Sequence, residues 1–197
     1  MSRSQVLSLL KGEVVSRVRF TIGTNSGSIS VDGSTFRRVA RAIQAGSVSL
    51  HVVEQSQMPL TGAGAVYYSR AGTSNNAAYT AAITANSLFT QPLRGRVEEG
   101  LLVHESVHAS LDLTRSSGIL TVWDEAACYI AEILYCRRMG LRRTRISETI
   151  RLAALPAVNS IIRTGSAAAA ELTNLVTTIT NHPLYAPNAT ICYSRDG

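Results

Sequence analysis

Lysine is almost missing from this chain: Lys11 is the only one among 19 basic residues, so arginine carries nearly all the positive charge. Cysteine is scarce as well. The three present, Cys128, Cys136 and Cys192, cannot all pair within one chain, and none stands in a CxxC pair. That speaks against a disulfide framework and against a cysteine-based zinc site. Cys128 and Cys136 lie eight positions apart on an expected helix, a rise of about 12 Å that no disulfide spans. Reduced, buried thiols are therefore expected, which suits a cytoplasmic protein or one exported without a cleaved signal peptide. Long apolar runs are absent too. None approaches the ~18 residues of a membrane span, and the run within MSRSQVLSLLKGEVV is too short for a signal peptide. Charged residues are only 16% against 45% apolar, which excludes a disordered polymer. No nucleic-acid-binding motif accompanies the net charge of +6, so that charge reads as a solvated basic surface and nucleic acid is not an expected partner.

What is present fits one domain of 197 residues, with no internal repeat and no dividing linker. Residues 1–20 read as a short amphipathic helix leading into a strand. GSISVDGSTF carries Asp32-Gly33 between two short β-prone runs, a hairpin signal. Residues 36–45 place Phe36, Val39, Ala40 and Ile43 at helical spacing, closed by Gly46. Strands are expected over 48–54 (VSLHVVE), in AVYYS, and in ITANSLFT; residues 75–82 are ambiguous. From residue 94 the pattern turns helical. One helix covers 97–113 and breaks at Ser116-Ser117-Gly118; a second runs from Asp124 to Met139 and ends at Gly140. Further helix is expected over 147–154, interrupted by Pro156, and again across GSAAAAELTNLVTTI. Residues 181–197 carry two prolines and no period, a C-terminal loop that packs back or frays. The fold class is α+β: residues 1–93 mainly β with one or two helices, then a helical layer over 94–180 that bears the chemistry.

That chemistry centres on His104-Glu105-Ser106-Val107-His108, an HExxH motif inside the first long helix. Residues i and i+4 share one helical face, so both imidazoles can reach a single ion at about 2.0–2.1 Å. Glu105 lies about 100° round the helix and can meet a water on that ion without being a ligand. Burying two imidazoles and a carboxylate on one apolar helix is costly unless a cation compensates. A third ligand is expected from VWDEAACYIAEILY. Glu125, seventeen positions after His108, is preferred. It sits early in a helix able to run antiparallel to the first, and Ala126 and Ala127 allow close approach. Asp124 reads as the N-cap, and Glu132 is the reserve ligand.

HExxH followed by Glu-Ala-x-x-Tyr on a second helix resembles the zincin superfamily, in particular its Glu-ligand branch, the gluzincins. The similarity covers roughly residues 97–139 and rests on His104, Glu105, His108 and Glu125. The HExxHxxGxxH extension is absent, with Leu111 at its glycine position, and so is the fuller acidic signature of thermolysin-like enzymes. The resemblance implies a Zn2+-dependent metallopeptidase acting on peptide or protein substrates. Zinc lowers the pKa of its water and polarises the carbonyl, and Glu105 is the general base. It also implies that the strand at 83–90 is an edge on which peptide aligns. Tyr129, His182 and Tyr185 are candidates to stabilise the transition state, and Asp112 to orient an imidazole from behind. A competing expectation is a non-catalytic or toxin-associated zincin-fold module. It would dock an acidic partner through Arg137, Arg138, Arg142, Arg143 and Arg145.

Overall fold

The computed structural model describes residues 2–69, 71–72, 83–114, 118–141 and 148–192. Helices α1 (Arg3–Lys11) and α2 (Glu13–Ser16) lead into a two-stranded antiparallel hairpin, β1 (Phe20–Thr24) with β2 (Gly27–Val31). Its turn lies at Asn25 and Ser26, since Thr24 pairs with Gly27, whose φ of 147° is open to glycine. The hairpin is therefore not at Asp32-Gly33. Asp32 instead caps α3 (Gly33–Ala45): its carboxylate accepts the Ser34 amide at 2.7 Å, and the Thr35 hydroxyl accepts the Asp32 amide at 3.1 Å. Asp-Gly is both a turn signal and a helix-start signal, and the amphipathic run after it decides between them. Phe36, Val39, Ala40 and Ile43 are all fully buried, as their spacing predicts. Burying each of the three larger ones stabilises the fold by about 1.5–3 kcal/mol. Gly46 ends the helix with a φ of 80°.

The second sheet has three strands, β3 (Ser49–Val52), β4 (Ala65–Tyr68) and, between them, β7 (Ser87–Thr90). β3 runs parallel to β7 and β4 antiparallel to it. Side chains alternate across the sheet: Leu88 enters the main core, and Phe89 a small cluster with Met58 and Ile83 on the other face. The segment expected as one strand over 83–90 is split at Ala85 and Asn86. Its first part, β6 (Ile83–Thr84), pairs with β5 (Ala71–Gly72) instead. The ambiguous residues 75–82 lie outside the described residues.

Helices α4 (Arg96–Leu113) and α5 (Thr121–Arg138) pack antiparallel at the centre of the core. The pairing shows in three contacts: the Cys136 thiol on the Arg96 carbonyl at 3.3 Å, the Tyr135 hydroxyl on Glu99 at 2.9 Å, and His108 beside Asp124 at 3.1 Å. Gly100 permits this approach, because a Cβ there would stand 2.6 Å from the Cys136 sulfur and 3.2 Å from Glu132 Cγ. α5 starts three residues before Asp124, so Asp124 is not its N-cap; Leu120 holds that position. Residues 115–117, the expected break, lie outside the described residues. Helices α6 (Thr149–Thr164) and α7 (Ala169–Thr180) cover α5. The expected interruption at Pro156 does not occur. Pro156 and Leu152 sit on the exposed face of α6, where solvent can serve the Leu152 carbonyl that proline leaves without a donor. The C-terminal segment packs back: the Thr121 amide and hydroxyl both donate to the Ile191 carbonyl, at 2.8 and 2.7 Å. Among the described residues no helix is long and apolar enough to cross a membrane.

Candidate metal centre

α4 carries His104, Glu105 and His108 on the side that faces α5 and β4. The i, i+4 spacing brings the two imidazole rings to 5.2 Å between centroids. α5 answers with Glu125, whose carboxylate lies between them. One oxygen is 3.4 Å from His104 Nε2 and the other 3.4 Å from His108 Nε2. Ligands at 2.0–2.1 Å from a tetrahedral ion stand about 3.3 Å apart. Each imidazole Nε2 thus stands at about that distance from one oxygen of Glu125, and the chemistry of the three donors suits such an ion.

The opposite nitrogen of each ring has its own carboxylate. His104 Nδ1 lies 3.2 Å from Glu132 Oε2, and His108 Nδ1 lies 3.1 Å from Asp124 Oδ1. Such contacts set the tautomer and turn Nε2 toward the centre. Glu132, the reserve ligand, and Asp124, the expected cap, therefore both stand behind the histidines. Asp112 lines the same cavity as the histidines, and its carboxylate accepts the Tyr67 hydroxyl at 2.7 Å.

Burial opposes charge on His104, yet hydrogen bonds to Glu125 and Glu132 raise it to about 9. His108 is likewise raised, against its burial, by the negative groups around it, Asp124 and Glu125 among them. Burial acts to raise Glu125, but the charge on His108 and hydrogen bonds from both imidazoles hold it well below the usual carboxylate range. Glu105 behaves oppositely: burial dominates and pushes it up. Its Oε2 accepts the backbone amide of Tyr67 on β4 at 2.8 Å. That contact spans 38 residues of sequence and fixes the carboxylate beside the imidazoles without making it a third partner of both.

These groups open on a cavity of about 450 Å³, walled by β4 on one side and by Leu184, Tyr185 and Asn188 of the C-terminal segment on another. β4, at the edge of its sheet, is the strand that meets the cavity. β7 is central, with partners on both sides, so residues 87–90 of the expected strand are not an edge along which a peptide could align. Tyr185 lines the cavity, and its hydroxyl is 3.0 Å from that of Tyr129. Tyr129 itself is buried and packs its ring edge against His104 at 4.7 Å. His182 lies outside the cavity lining; its Nδ1 accepts the Leu184 amide at 3.3 Å.

Sequence reasoning missed three participants. Tyr67 gives no local sign, because its amide serves the site. Arg151, on α6, binds Glu132 from the neighbouring helix. Cys128 stands one helical turn after Asp124, and its thiol is 3.8 Å from Asp124 Oδ1. Cys128 Sγ and one nitrogen from each of His104 and His108 lie within 4.8 Å of one another, a group that could also hold a metal ion. Burial pushes the Cys128 thiol far up, so in the metal-free protein it is a thiol and not a thiolate. Of the arginines expected to form a docking surface, Arg142, Arg143 and Arg145 lie outside the described residues. Arg137 donates to the Leu141 carbonyl at 3.5 Å. Comparison with protein-family models, curated proteins and solved structures finds no match to this chain.

Proposed function

We propose that this protein is a zinc-dependent hydrolase and that its substrates are peptide bonds. The observation that carries the reading is the Glu125 carboxylate, 3.4 Å from each Nε2 of an HExxH histidine pair, with Glu105 held apart from that set. His104, His108 and Glu125 would hold the ion. When bound, it supplies a Lewis acid and lowers the pKa of water. Glu105 accepts the proton of the attacking water and returns it to the leaving amine. Burial raises its pKa toward working pH, which suits a group that must take and give a proton. The Tyr67 amide occupies one Glu105 oxygen, and Glu105 itself lines the cavity. Tyr185 is a cavity-lining hydroxyl able to donate to a substrate carbonyl oxygen. β4, beside the cavity, is the strand along which an extended peptide would lie.

The test compares wild type with Glu105→Gln for zinc content, melting temperature and cleavage of an unstructured protein such as casein. Gln is nearly isosteric with Glu, so zinc and melting temperature should stay while turnover falls by roughly 10²–10⁴. A chelator should stop wild-type cleavage, and zinc should restore it. Equal cleavage by both proteins would show the mechanism wrong.

A further inference from the structure

Each histidine of the centre has a carboxylate behind it. Behind His108, Asp124 has the Cys128 thiol nearby. Behind His104 the contacts run on through Glu132 to a cation. Arg151 Nε donates to Glu132 Oε1 at 2.5 Å, and Glu132 Oε2 lies 3.2 Å from His104 Nδ1. Glu132 is 2% exposed and Arg151 is mostly buried, so the pair is shielded from solvent. The guanidinium also pairs with Glu148 and sits 5.9 Å over the Tyr129 ring, the ring that packs edge-on against His104.

This arrangement answers a competition. His104 lies between two buried carboxylates, Glu125 on its Nε2 side and Glu132 on its Nδ1 side. A neutral imidazole has one N–H. If that proton sat on Nε2, it would point at Glu125 and the nitrogen could not bind a metal. The proton must sit on Nδ1, which requires Glu132 to be the stronger and better-placed acceptor. Arg151 Nε on the far oxygen holds the Glu132 carboxylate in place with a charge-assisted hydrogen bond, so that its other oxygen stays against His104 Nδ1.

We infer that Arg151 is a positioning residue of this centre, which acts through Glu132 to hold the His104 ring with Nδ1 against Glu132 and Nε2 turned toward the metal position. The inference rests on the metal reading proposed above. α6 thereby does more than cover α5; it brings the guanidinium that biases one of the two imidazoles.

Arg151→Met, Arg151→Lys, Glu132→Gln and the Arg151→Met/Glu132→Gln double variant test this against wild type. Zinc Kd is measured by competition with a chelator, and melting temperature on the metal-free proteins. Arg151→Met should raise the zinc Kd roughly 10–100-fold. Arg151→Lys, which keeps the cation, should recover much of that loss. In the Glu132→Gln background, Arg151→Met should add little, since its route to His104 is already cut. The inference is overturned if Arg151→Met lowers the metal-free melting temperature but binds zinc as wild type does. It is equally overturned if the two single losses multiply in the double variant, because Arg151 then does not act through Glu132. A wild type that takes up no zinc would remove the metal reading first, and this inference with it; a wild type that binds zinc while Arg151→Met binds it equally removes only the inference.

Discussion

The α4–α5 helix pair and strand β4 face each other across the same cavity, yet they supply the site by different means. The helices give side chains at fixed periodic offsets: His104, Glu105 and His108 from one, Asp124, Glu125 and Glu132 from the other. β4 gives a backbone amide, that of Tyr67, to Glu105 at 2.8 Å. The first kind of contribution depends on which residues stand there. The second depends only on where the strand runs, and almost any residue could provide it. A helix pair can therefore carry a recognisable motif while the strand that completes the site carries none.

The largest expected effect strikes the helix side. His104→Ala and His108→Ala should abolish stoichiometric zinc in the purified protein, and Glu125→Ala should weaken binding far more than Glu132→Ala. Loss of Glu132, which stands behind His104, should cost roughly 10–100-fold in zinc affinity. Metal analysis and chelator competition read both. If Glu132→Ala proves the worse of the two, or Cys128→Ala matches Glu125→Ala, the ligand set is different.

A matched pair of substitutions addresses the strand side. Tyr67→Pro removes the amide that meets Glu105 together with the ring and hydroxyl, in an edge strand where that N–H does not serve the ladder. Turnover should fall while zinc content stays. Tyr67→Phe keeps the amide and loses the hydroxyl that donates to Asp112, so it should cost stability, about 1.5–3 kcal/mol for a hydrogen bond to a charged group, with turnover little changed. Equal turnover in the two variants would mean that β4 contributes nothing to Glu105.

The third prediction concerns protons. The folded, metal-free protein holds His104 at about 9, above the ordinary histidine value near 6.5. Its protonated form therefore stabilises the metal-free fold fully below about 6.5, and that contribution is lost as pH rises through about 9. Zinc needs the neutral imidazole, so zinc affinity should climb with pH across this window. At pH 7 uptake should release about two protons per ion, one from each histidine. Calorimetry in buffers of different ionisation enthalpy reads the number; zinc uptake without proton release would contradict the raised values.

The smallest effect expected is at the helix crossing. A Cβ at Gly100 meets Cys136 Sγ at 2.6 Å and Glu132 Cγ at 3.2 Å, and Glu132 is pinned between His104 and Arg151. Overpacking by Gly100→Ala should cost about 1–3 kcal/mol, offset by about 1 kcal/mol of helix propensity. Urea titration should show a net loss near 1 kcal/mol. A more stable variant would mean the helices can part without cost.

The sequence by itself determined what lies within single helices. The His104–Glu105–His108 face, the buried stripe of α3 and its end at Gly46 all follow from 3.6 residues per turn and from glycine's freedom at positive φ. It misjudged Asp32, because a short carboxylate before glycine serves a turn and a helix cap by the same hydrogen bond. It misjudged Pro156, because a missing N–H is costly only where the orphaned carbonyl has no access to water. Tertiary structure alone decided that Asp124 and Glu132 stand behind the imidazoles, that β4 and not the 83–90 segment borders the cavity, and that Tyr67 and Arg151 reach the site. These are pairings between segments distant in sequence. They depend on sheet order and helix crossing, which no local period encodes, because a period says which residues share a face and not what that face will meet.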